Sequence, residues 1–502
     1  MANKTHPGIM ASSTRKGVKT KTAQIPSSAK SSAPSPIRGL PLEVLSTIFA
    51  WAMVDSWRSS TSCCGDLLKF MLVCSQWRDA AQSEPTVWST IIVILARTAR
   101  ATRGASRQAR QLAAVEMYLR RSGQIPLNIS ISGRELDPAD EIVQRLVAHS
   151  SRWESLNIKL TVVNTIKNIP TVVRENIPRL TTLTLTYNKF EFDMDDFSEE
   201  HDLVAFVIFE DAPSLHSVEF ISWPKPATLK LPWSQIHHLS AHNMIPNDCI
   251  RLLKVAPTLS SCEFTMRMPT VSETWGPMAT HCVADHLQSF ILKSGDHFLS
   301  LFQLIELLHS VTFPSLEILE IHGNQVASTT TVRFHLDGAL LASIRRSNCP
   351  LDRLKLHHVP LRKGGLAEVF VLLRSLRCLE IDAFKVAAPG SPLDTDFLRG
   401  LVYPDNSNGV RSLPRLRRLS LSCSLEESGF NMLADVLESR RAAFDYPHGQ
   451  VSPLESVNLH IKGVREFPDH FNSRLRILAS GGMKIRINGE NPEEINTEMQ
   501  RL

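Results

Sequence analysis

Arg353, Lys355 and His357 alternate with leucines along one short apolar segment, and Cys378, Glu380 and Asp382 occupy the same phase of the next such segment. Alternate residues of a β-strand point to one face, so the two segments would set a basic strip beside an acidic one. Strips of that kind suit recognition of a charged protein segment better than bond-making. The same phase selects Ile318, Glu320 and His322 on one side, and Arg418, Ser420 and Ser422 on the other. Earlier in the chain it selects Thr182, Thr184 and Thr186, then Ser217, Glu219 and Ile221. The strongest target-binding candidates are therefore Glu320, His322, Arg353, Lys355, His357, Glu380, Asp382 and Arg418. Nothing catalytic competes with them: the chain has no GxxxxGK(S/T), GxSxG or HExxH pattern, and its nine cysteines form no CxxC pair. His237–His238 and His357–His358 are adjacent on strand-like segments, where successive side chains diverge, so neither pair is expected to hold a metal. No cofactor and no catalytic step of the chain's own are expected.

The elements that must position these residues repeat. An apolar residue, two variable positions and then apolar-x-apolar recur eleven times, with leading residues Trp153, Leu180, Leu215, Ile236, Leu259, Leu287, Leu316, Leu351, Leu376, Leu416 and Leu454. The intervals run from 21 to 40 residues, and a further strand, "IPLNISI", precedes the series. Segments of helical period lie between many of the signatures: "PADEIVQRLVAHS", "HDLVAFVIFE", "FLSLFQLIELLHS", "LAEVFVLLRS" and "FNMLADVLESR". Strand and helix alternate, so parallel strands should stack into a solenoid of α/β class, each repeat covering the apolar edge of its neighbour. The acidic stretch "EFDMDDFSEEHD" lacks the glycine and ligand spacing of a calcium loop and reads as a solvated repeat connection.

Composition bounds the function. An apolar share of 43% with 21% charged residues is ordinary for a soluble globular chain. No apolar run approaches the ~20 residues of a membrane span, and the N-terminus has no signal-peptide core. An intracellular protein, cytoplasmic and/or nuclear, is expected. The net charge of +5 conceals an asymmetry, because residues 1–38 contribute +7 and leave the remainder at −2. A near-neutral body argues against nucleic acid as the partner. The tail 1–37, rich in Ser, Thr, Pro and Lys, reads as disordered.

Residues 40–92 read as a compact helical unit. Pro41 stands at a first helical turn, where its missing N–H costs little. Val44, Leu45, Ile48 and Phe49 recur at helical spacing, and "DLLKFMLVCSQWRDAA" repeats the stripe through Leu67, Phe70, Val73, Cys74, Trp77 and Ala81. So many large apolar residues in so small a unit suggest that part of the surface is meant for a partner. The ordered set "LPLEVLSTIF…LVCSQWRDAAQSEPTVWSTI" resembles the F-box, and most closely the F-box-like proteins abundant in fungi. The resemblance implies that Leu40, Pro41, Glu43, Val44, Leu45, Ile48, Phe49, Leu72, Val73, Trp77 and Trp88 bind a Skp-type adaptor and, through it, a cullin. The repeated signature in turn resembles the leucine-rich repeat LxxLxL, although it lacks the asparagine ladder and its periods are long and uneven.

These readings divide the chain into a tail (1–37), an F-box (38–95), an arginine-rich linker helix (96–122), a leucine-rich-repeat-like strand-helix solenoid (123–490) and a C-terminal tail (491–502). In the linker, Arg100, Arg103, Arg107 and Arg110 fall on one helical face, while Leu112, Val115 and Leu119 could dock inward. The resemblance implies a non-catalytic target receptor of a SKP–cullin–F-box ubiquitin ligase holding a protein target. The alternative is an F-box interaction scaffold acting outside ubiquitin transfer.

Overall fold

The computed structural model describes residues 40–58, 67, 69–95, 102–134, 136–137, 139–161, 169, 171–187, 207–268, 281–295, 299–324, 335–362, 364–382, 395–402, 412–423, 425, 427–442, 452–461 and 467–488. The basic tail, the acidic stretch 191–202, the joining residues 96–101 and the tail 491–502 fall outside that set.

The chain opens on a helix, Leu42–Arg58, preceded by Pro41, whose carbonyl accepts the first helical bond from the Leu45 amide at 3.2 Å. A second helix, Ser75–Ser83, packs against it, and a 3-10 turn at Pro85–Trp88 follows. One residue later the chain enters β1 (Thr90–Ile94), which pairs in parallel with β2 (Leu127–Gly133). The last residues of the segment read as 38–95 thus form the first strand of the sheet.

The strands continue as β3 (Trp153–Leu160), β4 (Thr182–Tyr187), β5 (Ser217–Ile221), β6 (His238–Met244), β7 (Ser261–Met266), β8 (Cys282–Val283) and β9 (Ser289–Ser294). After them come β10 (Val311–Thr312), β11 (Ile318–His322), β12 (Arg353–His357), β13 (Cys378–Asp382), β14 (Arg418–Cys423), β15 (Ser456–Ile461) and β16 (Lys484–Ile487). All but β8 and β10, which pair with each other, join one 14-stranded sheet in chain order. Each of the eleven repeat signatures is a strand of it, and β1 and β16 extend it at either end.

This order decides which face is open. Parallel neighbours need a crossover, and crossovers are right-handed almost without exception. Strands laid down one after another in a single direction therefore send every crossover to the same side. Helices Glu141–Val147, Pro246–Val255, Leu299–Ser310, Leu336–Ser347, Ala367–Leu372, Thr395–Leu401, Glu427–Ala442 and Asp469–Ser480 occupy these connections. The strands record the result: Leu319, Ile321, Leu354, Leu356, Leu379 and Ile381 are at most 2% exposed, while the residues between them are half-buried. Each inward leucine contributes about 2 kcal/mol. The segment "HDLVAFVIFE" differs from expectation in its described part: residues 207–212 form turns that bury Ile208 and Phe209, and Pro213 prevents a helix from continuing.

The helix Thr102–Arg121 is part of the body rather than a spacer. Val115, Tyr118 and Leu119 are buried, and its last turn meets the helical unit, with Tyr118 edge-on to Trp88 at 5.0 Å and the Arg121 guanidinium 4.4 Å from the Trp88 ring centroid. One contiguous core consequently runs from Leu45 to Ile487.

Candidate functional site

The first candidate surface belongs to the helix Leu42–Arg58, which is apolar on two faces. Leu45 and Phe49 point inward and are at most 1% exposed. Phe49 stacks on Phe70 at 5.0 Å and meets Trp77 edge-on at 5.1 Å. The Trp88 indole, equally buried, donates to the Ala81 carbonyl at 2.6 Å, and the Gln76 amide holds the entering chain by donating to the Leu40 carbonyl at 2.9 Å. Leu45, Phe49 and Trp88 thus cannot themselves touch a partner on this surface; they hold its shape. Trp77 and Leu40 are half-buried against the same core.

The outward stripe is different. Leu42, Val44 and Ile48 are 42–46% exposed, Trp51 is 74% exposed, and Leu72 and Val73 lie open at the turn before the second helix. Pro41 and Glu43 are exposed beside them. Leu42 and Trp51 were absent from the sequence-derived set. The i, i+4, i+7 series Val44–Ile48–Trp51 was the available signal for Trp51. Val44, Ile48 and Trp51 share one face of the helix, so the chain leaves an apolar stripe open to solvent beside its own core.

The second candidate surface is the open face of the sheet. Its middle row runs through Thr184, Glu219, Ser240, Glu263, Ile291, Glu320, Lys355, Glu380 and Ser420 on successive strands. Every one of the eight target-binding candidates lies on this face, but the charges are spent laterally. The Lys355 ammonium is 3.5 Å and the His357 ring 2.9 Å from one oxygen of Glu380, and His322 is 3.4 Å from Glu320. Further along, Lys293 bonds Glu263 at 2.6 Å, and His242 contacts Ser240, Thr265 and Glu219. The His242 bond is the chief reason that the Glu219 carboxyl is held below its ordinary range, against the opposing effect of burial. His322 is pushed down by burial, although Glu320 opposes the shift.

Lys355 of the basic strip expected at β12 is therefore offset by Glu380 of β13, because equal register places the two side by side. His357 and His358 also differ from expectation. His358 has left the strand with φ +51°, so its ring lies 6.3 Å from that of His357 and 3.7 Å from Asp382 instead of on the opposite face. Arg353 and Arg418 occupy the row at the strand starts, outside these pairs.

Comparison with known proteins bears on the first surface. Residues 37–93 match the F-box-like family. The F-box-like match spans the whole two-faced helix, the exposed turn at Leu72 and Val73, and the closing Trp88. No curated protein matches the chain. Among solved structures, the Toll–Spatzle complex of Drosophila in its glycosylated form aligns at 12% identity and a TM-score of 0.18, over 68% of this chain and 59% of that one, which is too slight a likeness to carry an argument.

Proposed function

We propose that the protein is the target-recognition subunit of a SKP–cullin–F-box type ubiquitin ligase. The observation that carries this reading is the outward apolar stripe Val44–Ile48–Trp51 on the F-box-like segment, which the chain's own core leaves uncovered. The stripe docks a Skp-type adaptor and thereby a cullin. The sequential parallel sheet supports a leucine-rich-repeat-like solenoid whose open face holds a protein target, with neither nucleic acid nor membrane as partner. The chain performs no catalytic step; it raises the effective concentration of a target lysine near activated ubiquitin. It works in the cytoplasm and/or the nucleus.

The test is co-expression with a Skp-type adaptor. Co-elution of the wild type, lost in a folded Val44→Asp/Ile48→Asp double variant, supports the assignment. Co-elution that survives the double variant removes it. Cullin capture by the adaptor complex then separates ubiquitin transfer from a scaffold role outside it.

A further inference from the structure

Charge on the body is balanced across the middle of the open face and unbalanced at one end. Where β13 to β16 begin, a recess of about 750 Å³ is lined by Arg377, Arg417, Arg418, Arg441, Lys484 and a single acid, Glu455. Its apolar and small lining, which includes Pro453, Leu454 and Gly482, adds no further charge. Arg417 is paired with Glu455 at 3.2 Å, and Arg377 reaches Asp352 at 3.5 Å on its outer side. Among the described residues, the side chains of Arg418 and Lys484 have neither a hydrogen-bond nor an ion-pair partner. Both are exposed.

The fold builds this concentration by register. Arg353, Cys378, Arg418, Ser456 and Lys484 are consecutive partners at the strand starts, so a cation recurs on every second strand. Strands lie about 4.8 Å apart, which spaces the three cations by about 10 Å. Between them stand only a thiol and a hydroxyl, neither able to neutralise a guanidinium; burial pushes the Cys378 thiol up and keeps it protonated. From the helix side, Arg441 closes the recess over the turn before β16: a side chain at Gly481 would come within 3.3 Å of its guanidinium.

We propose that this recess binds a phosphorylated, acidic segment of a protein target. Arginine binds a phosphate dianion through two parallel hydrogen bonds, and several guanidinium groups around one recess suit such a group better than a single carboxylate. The ~10 Å spacing exceeds the reach of one phosphate and fits an extended chain whose acidic groups are three residues apart. The recess lies at the strand starts, where Arg418 and Lys484 border the face proposed above to hold the target, and the choice of a protein ligand rests on that reading; the anion chemistry does not.

The experiment uses the full chain and a fluorescein-labelled peptide with a central phosphoserine and glutamates three residues to either side, read by anisotropy. The phosphorylated peptide should bind at least tenfold more tightly than its serine counterpart and weaken as salt rises. Arg418→Glu/Lys484→Glu should lose at least tenfold, and Arg418→Gln/Lys484→Gln should fall between it and the wild type. Arg251→Met, an exposed arginine on the helix Pro246–Val255 that does not line the recess, should change affinity less than twofold. Circular dichroism verifies the fold of each variant. Equal affinity for the two peptides overturns the proposal, as does unchanged affinity in the folded double reversals. Competition by inorganic phosphate without a preference for the phosphopeptide makes the recess a site for free anion and overturns it as well. Adaptor co-elution is scored separately, so failure of the F-box-like reading leaves this result standing.

Discussion

Neighbouring residues of the first helix have opposite tasks, and substitution should separate them. Phe49 is fully buried against Phe70 and Trp77, so Phe49→Ala should cost about 3–5 kcal/mol of stability, measured by urea unfolding. Val44→Asp/Ile48→Asp should leave stability within about 0.5 kcal/mol, because both side chains are already wet. A second residue-scale prediction concerns acid. Asp337 is 2% exposed and receives the Arg362 guanidinium at 2.6 Å together with the Arg362 amide at 3.1 Å. Burial alone would raise its carboxyl, but the bonds from Arg362 win and hold it below the ordinary range. A depressed carboxyl stabilises the fold above its unfolded value of about 3.9, and that contribution is lost as pH falls through the folded value. Asp337→Asn should therefore destabilise the protein at pH 7 and flatten the loss of stability below about pH 4. An unchanged acid limb in the variant would locate the acid sensitivity elsewhere.

Successive elements are joined by arginines that serve as caps for the preceding helix. Arg440, 3% exposed, donates to the carbonyls of Leu401, Ser412 and Leu413, which follow or end the helix Thr395–Leu401. Arg346 donates to Leu308 and Val311 at the end of Leu299–Ser310, and Arg152 to Ile125 and Ser122 after Thr102–Arg121. Helix C-termini leave carbonyls without partners, and a cation there also meets the favourable end of the helix dipole. Arg440→Met keeps the apolar stem but strands three buried carbonyls. It should cost on the order of 3 kcal/mol, read by urea unfolding, whereas exposed Arg399→Met should cost less than about 1 kcal/mol.

The molecule as a whole is expected to unfold as one unit. The F-box-like segment shares Trp88 with the helix Thr102–Arg121 and passes directly into β1, so its core is not separate from that of the sheet. Fluorescence and far-ultraviolet circular dichroism should therefore report coincident urea transitions; two resolved transitions would mean that the segment folds apart. Truncation after residue 362 should leave an uncovered apolar edge at β12 and at the helix Leu336–Ser347, and the product should aggregate. A soluble, cooperatively folded fragment ending there would show that the later repeats form a separate domain.

Much of this was legible in the chain. The two-period alternation of the LxxLxL strands and the helical spacing of Leu45 and Phe49 depend only on local geometry, so they marked eleven strands and the first helix directly. Periodicity also identified which side chains would share the open face. It did not show that Leu45, Phe49 and Trp88 are consumed by the core while Leu42 and Trp51 remain outside, because a helix apolar on both faces has no intrinsic inside. Nor did it show that β1 belongs to the sheet, since a strand is defined by the partner it pairs with. The charge pattern was legible only in part. Alternation set the strip of Lys355 beside that of Glu380, as parallel register does, but it did not show that the two side chains would pair with each other at 3.5 Å. The same register collects Arg418 and Lys484, 66 residues apart in sequence, at one end of the face with Ser456 as the register partner between them. Local spacing was set by the sequence; net charge at a surface point is a sum over neighbours, and only the tertiary structure chooses the neighbours.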